Sequence, residues 1–442
     1  MRKKKVNAQY SMENKKDKKL YLRVILVLFV VISFFFWYLR LRNFEKMMTF
    51  HTDQGFHIQE VYDMVVQRKA RLIGPIVLTR MVEGKGYFIG PYYYYILAIL
   101  GIVSKWDAVS ITKFLLIWWW AGAVFLFLWI GKKLNWQAAL FVYAILTVHP
   151  LLIGFSRMFL NPNFLPLISV GFFYFLWKAL KEKRKKDWFI AGGLAGFGLS
   201  FHFSVLVWLG IMAGVWTYGW FVKKLNIGHL LAGLIGIALS ELPYLIFELR
   251  HNFYNLRTIR ANGFDPNEVG FLGPYYAFGF FPIIFWAIAF LYTFVAKRTK
   301  YWISIPLSLL ILWSIMFVFT KDEYKEKGYG MPIGWSVPTQ KYLAGVICND
   351  QSRKNFNIAT HISADVRGDD LRWWVRRCGA EPMGYGDYPF ADTLYFVDRG
   401  ELQSLNAPGL WELASMTKDP HEVEVTKELD GDLWFYKLVR KK

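Results

Sequence analysis

The sequence is poor in cysteine, in acidic residues and in charge altogether. Only two cysteines, Cys348 and Cys378, occur in 442 residues. That excludes a disulfide-built scaffold, and no CxxC pair is present. Charged residues make up 19% of the chain, below the ~25% usual for soluble domains. No Walker loop and no GxGxxG turn is present, so soluble nucleotide chemistry has no support. No internal repeat is visible.

Apolar and aromatic residues fill the space: 55% of the chain is hydrophobic and 19% aromatic, with 20 Trp. Runs such as Val24 to Tyr38, Phe114 to Ile130 and Val205 to Val222 carry no charge. They are too long for buried strands, and a lipid bilayer is their natural solvent. The mean hydropathy of +0.25 is modest for a multi-span protein, so part of the chain lies outside the membrane. That part is the stretch after Thr320.

Basic residues outnumber acidic ones 53 to 33, for a net charge of +20. They fall in clusters beside apolar runs: the tail 1–19, Lys132-Lys133, Lys178 to Lys186, Lys223-Lys224 and Lys297-Arg298-Lys300. This is the pattern of cytoplasmic span ends and not of a nucleic-acid surface. The first apolar run ends in Phe36-Trp37-Tyr38-Leu39-Arg40 with no small-residue cleavage site, so it reads as a retained span with a cytoplasmic N-terminus.

Placing every basic cluster on one side requires Pro91 to Val103 to be interfacial or re-entrant. Nine spans are then expected: Tyr21 to Leu39, Val109 to Ile130, Trp136 to Phe155, Asn163 to Leu180, Trp188 to Ser204, Val205 to Val222, Leu230 to Phe247, Tyr275 to Ala296 and Tyr301 to Thr320. The division is a tail 1–19, a membrane region 20–320 with its first outer loop at 42–90, and an extracytoplasmic domain 321–442. The latter alternates strand-like pieces (Asn357 to Thr360, Thr393 to Val397, Leu433 to Leu438) with helix-like ones (Gln340 to Cys348, Asp370 to Arg377). The expected fold class is an α-helical polytopic membrane protein carrying a small α/β domain. Cys348 and Cys378 are either a disulfide in an oxidising exterior or two buried thiols.

Candidate chemistry lies in three outer segments. In the first, Asp53, His57 and Glu60 share a face if the chain is helical from Asp53; this is a general-base or metal pattern, or the wet face of an amphipathic helix. Four consecutive tyrosines, Tyr92 to Tyr95, are either an interfacial belt or a platform for a sugar or headgroup. Arg157 follows the third span, and Glu248, Arg250 and Arg257 follow the seventh. Arginines on the outer side run against the positive-inside trend, and phosphate binding supplies one reason because the guanidinium fork matches phosphate oxygens. A salt bridge to Glu241 or Glu248, or to outer-leaflet lipid, supplies another.

The order of these segments resembles a known family. Asp53-Gln54 after the first span, Leu72-Ile73-Gly74-Pro75, Gly90-Pro91-Tyr92-Tyr93-Tyr94, Ser156-Arg157 with Asn161-Pro162-Asn163, and Phe247-Glu248-Leu249-Arg250-His251 with Phe253 resemble bacterial membrane glycosyltransferases of the GT-C class. The likeness is to the protein mannosyltransferase and aminoarabinose transferase families, glycosyltransferase family 39 and its relatives. It covers approximately Tyr21 to Thr320. It implies transfer of a sugar from a polyprenyl-phosphate carrier to an extracytoplasmic protein, lipid or glycan at the plasma membrane, with inversion. The family's catalytic acidic residue maps onto Asp53. Gln54 stands where many relatives have Glu or Asp, which removes a potential ligand for a divalent metal, and Ile89 replaces a frequent His. The resulting expectation is Asp53 as general base, Arg157 and Arg250 on the carrier phosphate, and Gln54, Tyr92 and Tyr93 around the sugar or acceptor, with Arg257 and Glu248 as further candidates. A transporter or flippase of lipid-linked sugars is the rival reading, opposed by the scarcity of mid-span charge.

Overall fold

A computed structural model describes residues 2–82, 85–262, 274–298, 304–320, 327–362, 366–399, 410–418 and 421–441. Among the described residues, five helical segments are long and apolar enough to cross a membrane: Lys19–Leu41, Ala108–Lys133, Asn161–Glu182, Phe203–Phe221 and Tyr276–Arg298. Two further pairs, Trp136–Val148 with Pro150–Ser156 and Ile227–Ser240 with Leu242–Arg250, pass only together and are bent by 63° and 70°. The count is therefore five to seven by this measure, against the nine expected. The other two expected spans appear as helices Lys185–Leu199 and Ser304–Thr320. The helix Tyr92–Val103 has 12 residues, or ~18 Å, too short for a ~30 Å hydrocarbon layer.

Burial differs sharply among the spans. Lys19–Leu41 leaves Leu26, Val27, Val30 and Phe34 outward, whereas more than half of Ala108–Lys133 is buried in the bundle. Outward apolar side chains on a helix are stable only against lipid or another apolar surface. Helices Lys185–Leu199 and Ile227–Ser240 meet backbone to backbone: a Cβ on Gly192 would lie 2.1 Å from the Gly233 carbonyl oxygen. Small residues allow such close packing where lipid offers no hydrophobic drive.

Between the first span and Tyr92 the chain forms a helix, Thr52–Val66, and a hairpin of β1 (Ile76–Val82) and β2 (Lys85–Phe88). Ile76 pairs with Phe88 and Val77 with Tyr87. The Glu83-Gly84 reversal lies outside the described residues.

The C-terminal part holds β3 (Phe356–Thr360), β4 (Thr393–Arg399), β5 (His421–Leu429) and β6 (Leu433–Arg440) in the order β3-β4-β6-β5. β3 and β4 run parallel and the other pairs antiparallel. A parallel pair needs a crossover, and helix Asp369–Arg377 lies in the connection. β5 has no counterpart among the expected strands, because its charged run His421-Glu422-Val423-Glu424 hides the alternation of an edge strand.

Cys348, near the end of helix Val337–Asn349, is bonded to Cys378, at the end of Asp369–Arg377, with a Cα–Cα distance of 6.4 Å. The disulfide alternative is thus the one present. The cysteines are 30 residues apart, and closing a loop of that length restricts the unfolded chain by about 3–4 kcal/mol in the chain-entropy model. Cys378→Ser should therefore lower the denaturation midpoint of the C-terminal part, read by tryptophan fluorescence in urea. An unchanged midpoint would remove the bond from its stability.

Candidate active site at the loop helix

Helix Thr52–Val66 begins at a capping box. His51 accepts from the Asp53 N–H through Nδ1 (3.2 Å), and the Gln54 Oε1 accepts from the His51 N–H (3.1 Å). Reciprocal capping of this kind satisfies donors that a helix start leaves unpaired. Asp53 in the first turn complements the helix macrodipole, and its side chain stands exposed. Gln54 is fully buried and used as the cap, so it does not line an open site; its Nε2 has no hydrogen-bond partner among the described residues.

One turn on, His57 is buried, with Nδ1 3.3 Å from the Tyr93 hydroxyl. Tyr93 is itself fully buried and donates to the Phe159 carbonyl at 2.8 Å. Glu60 pairs with Arg71. The three residues that share a face in sequence therefore have three separate environments, and among the described residues no group of three His, Cys, Asp or Glu side chains gathers as a metal site.

Burial pushes the His57 imidazole down to about 4, partly offset by Asp53, with His51 adding a further downward push. His51 is lowered by burial as well. Between about pH 6.5 and 4 the unfolded chain binds a proton at His57 and the folded chain does not. Stability is complete above that window and falls as the pH drops through it, by about 1.4 kcal/mol per unit. His57→Gln should flatten the acid limb of thermal stability between pH 7 and 4; an equally steep limb would place the acid sensitivity elsewhere.

The C-terminal part holds this helix in place. A Cβ on Gly55 would lie 2.3 Å from the carbonyl carbon of Asp369, so the start of helix Asp369–Arg377 packs on bare backbone. Gln59 donates to the Asp369 carbonyl at 3.1 Å, and Arg376 grips Asp63 with both amino groups at 2.8 and 3.3 Å. Gln340 donates to the Phe50 carbonyl at 2.9 Å, and Thr49 donates to the Tyr329 carbonyl at 2.9 Å. Asp53 is thereby anchored from both sides of its loop.

The candidate arginines separate into two kinds. Arg157 is 2% exposed, and its guanidinium donates to the carbonyls of Leu39, Arg40 and Arg42 at the end of the first span. The orphan carbonyls of a helix C-terminus explain that placement. With its donors used in this way, Arg157 is a strut between the first span and the 157–164 turn and does not meet an open phosphate site. Arg250 is exposed at the end of Leu242–Arg250, and Arg257 is exposed with one bond to the His251 carbonyl at 3.1 Å. Glu248 is buried and ties the segment together, accepting from Asn255 Nδ2 at 2.7 Å; Asn255 in turn accepts from the Phe88 N–H at 2.6 Å. No salt bridge joins these residues to one another among those described. Tyr92 is half-buried, its ring 5.2 Å from that of Phe197.

Two features escaped sequence reading. Gly55 carries no motif, and its role exists only because Asp369 arrives from more than 300 residues away. The break at Glu241 was missed: the expected span Leu230 to Phe247 ran through it and Glu241 entered only as a salt-bridge partner, although Pro243 two residues on is the signal of a broken helix.

No family model and no curated protein sequence matches the chain. Among solved structures, it is similar to ArnT from Cupriavidus metallidurans bound to undecaprenyl phosphate, at 10% identity over 93% of this chain and 97% of that one, with a TM-score of 0.56. The apo state of the same protein aligns at 11% identity, with the same coverage and TM-score. The chain thus shares the fold of ArnT, as the order of its motifs led one to expect.

Proposed function

We propose that this protein is a membrane glycosyltransferase that takes a sugar from a polyprenyl-phosphate carrier and passes it to an acceptor outside the cytoplasmic membrane. The observation that carries the reading is an exposed Asp53 at a rigidly anchored helix start, on a fold shared with a protein crystallised with undecaprenyl phosphate. In the reaction, an acceptor hydroxyl attacks the anomeric carbon, and the bond from that carbon to the phosphate oxygen breaks. Attack from the face opposite the leaving group inverts the centre. The hydroxyl proton passes to Asp53, and the carrier phosphate departs with the bonding electron pair. General-base assistance and cationic stabilisation of the leaving group are the two contributions such a step needs.

Arg250, exposed at the end of helix Leu242–Arg250, is the cation assigned to the phosphate, with Arg257 seven residues further on. Tyr92 is assigned to the sugar or acceptor. Topologically, the N-terminus is cytoplasmic and 321–442 extracytoplasmic, as the basic clusters require. The test uses purified full-length protein in liposomes with undecaprenyl-phosphate-linked pentose and hexose donors. Release of undecaprenyl phosphate with sugar transferred to an acceptor supports the reading. Movement of intact donor between leaflets, without cleavage, would replace it by the flippase alternative.

A further inference from the structure

Asp370, the second residue of helix Asp369–Arg377, is 3% exposed. Its Oδ1 accepts from the Leu371 N–H at 2.9 Å, and its Oδ2 accepts from the Trp335 indole N–H at 2.8 Å and from Gln340 Nε2 at 3.2 Å. No cation pairs with it among the described residues. Burial pushes its carboxyl up to about 7, with the Trp335 and Leu371 donors drawing it back and Asp369 adding to the rise. A carboxylate buried against neutral donors alone is costly, so packing does not account for it. None of the steps assigned above uses it.

The carboxylate decides how Gln340 is turned. The Gln340 amide is fully buried, with Oε1 accepting from the Trp374 indole N–H at 3.1 Å and Nε2 donating both to Asp370 and to the Phe50 carbonyl at 2.9 Å. Both amide hydrogens and the oxygen are thereby used. Turned over, the amide would set its oxygen against the Asp370 carboxylate and the Phe50 carbonyl, and its hydrogens against the Trp374 N–H. Asp370 on one side and Trp374 on the other therefore admit one orientation, the one that offers Phe50 a donor. The Phe50 ring is held as well, edge-on to Trp374 with centroids 5.5 Å apart. The peptide between Phe50 and His51 is then gripped at both ends, its carbonyl by Gln340 and its N–H by the Gln54 Oε1. His51 caps the helix on which Asp53 stands.

We propose that Asp370 is a positioning residue for the transfer reaction: by orienting the Gln340 amide it fixes the Phe50–His51 peptide, and with it the place from which Asp53 meets the acceptor hydroxyl. The proposal rests on Asp53 as the general base, as assigned above. Asp370 touches no substrate and acts through a series of hydrogen bonds. A misplacement of about 1 Å costs on the order of 10² in rate. Because the base acts in the transition state, the loss falls on kcat and not on the donor KM.

The test is a double-mutant cycle on full-length protein in liposomes, with an undecaprenyl-phosphate-linked donor that the wild type consumes. Asp370→Ala should lower kcat about 10- to 100-fold with the donor KM unchanged. In an Asp53→Asn background the same change should lower kcat by less than about 2-fold, since a base that is absent cannot be misplaced. Asp370→Asn should stay within about 3-fold of wild type, because its amide oxygen still accepts from Trp335 and Gln340. Gln340→Glu, of the same size, should fall as far as Asp370→Ala, because it sets a carboxylate against the Phe50 carbonyl. Equal fold-losses for Asp370→Ala in the two backgrounds, a loss carried by the donor KM, or an Asp370→Ala rate equal to wild type would overturn the proposal and leave Asp370 a packing residue. If the wild type consumes no lipid-linked donor, the glycosyltransferase reading falls and the positioning role with it; normal wild-type turnover with any of those three results removes the positioning role alone.

Discussion

Asp53→Asn should lower turnover of a lipid-linked donor by about 10²- to 10⁴-fold, the range that general-base assistance contributes. The substitution keeps size and polarity, and the side chain is exposed, so the thermal midpoint should stay within a degree or two of wild type. KM for the donor should change little, because the base acts on the acceptor hydroxyl in the transition state. Initial rates of undecaprenyl phosphate release are the measurement. Transfer at the wild-type rate would remove Asp53 from the chemistry. Loss of rate together with loss of fold would make Asp53 structural, which its exposure argues against.

The second large effect is expected at Gly55→Val. Any Cβ there lies 2.3 Å from the Asp369 carbonyl carbon, 2.4 Å from its oxygen and 2.4 Å from the Asp370 nitrogen. These are backbone atoms at the start of a helix, and they have no rotamer by which to move aside. Overpacking in a core costs about 1–3 kcal/mol and more where backbone must shift. The contact to Gln59 and the Arg376–Asp63 pair would be displaced with it. A shift of about 1 Å in a positioning element costs on the order of 10² in rate. Gly55→Val should therefore depress turnover by that order and expose the 327–336 connection to protease. Gly345→Ala is the control: it has nothing within 4 Å, and in the helix Val337–Asn349 alanine should be favoured by up to ~1 kcal/mol. A Gly55 variant as active and protease-resistant as this control would show that the C-terminal part does not position Asp53.

These expectations divide along a physical line. The start of the loop helix, supposed at Asp53 from the sequence, falls at Thr52, and its capping is local: His51 and Gln54 bracket Asp53 within three residues. That the helix Tyr92–Val103 is too short to be a span was legible because its length is set against a bilayer of fixed thickness. Where Arg157 points was not legible. A guanidinium after a span has the same sequence pattern whether it faces a phosphate or folds back on carbonyls, and the choice depends on Leu39 and Arg40, more than 110 residues earlier. Gln54 and Tyr93 were misplaced for the same reason, since a polar residue on a loop helix is buried or open according to what packs on it.

What the sequence by itself determined is the solvent of each segment. Uncharged runs demand lipid, and strand-like pieces alternating with helix-like ones after Thr320 point to an α/β part with its own sheet, both of which are statements about residues near one another in the chain. Only the tertiary structure decided which polar groups are spent inside the fold and which remain available. It took Arg157, Gln54, Tyr93 and Glu248 for packing and left Asp53 and Arg250 open. That decision is non-local, because a side chain's availability depends on every element that reaches it, and Gly55 and Asp369 meet across most of the length of the chain.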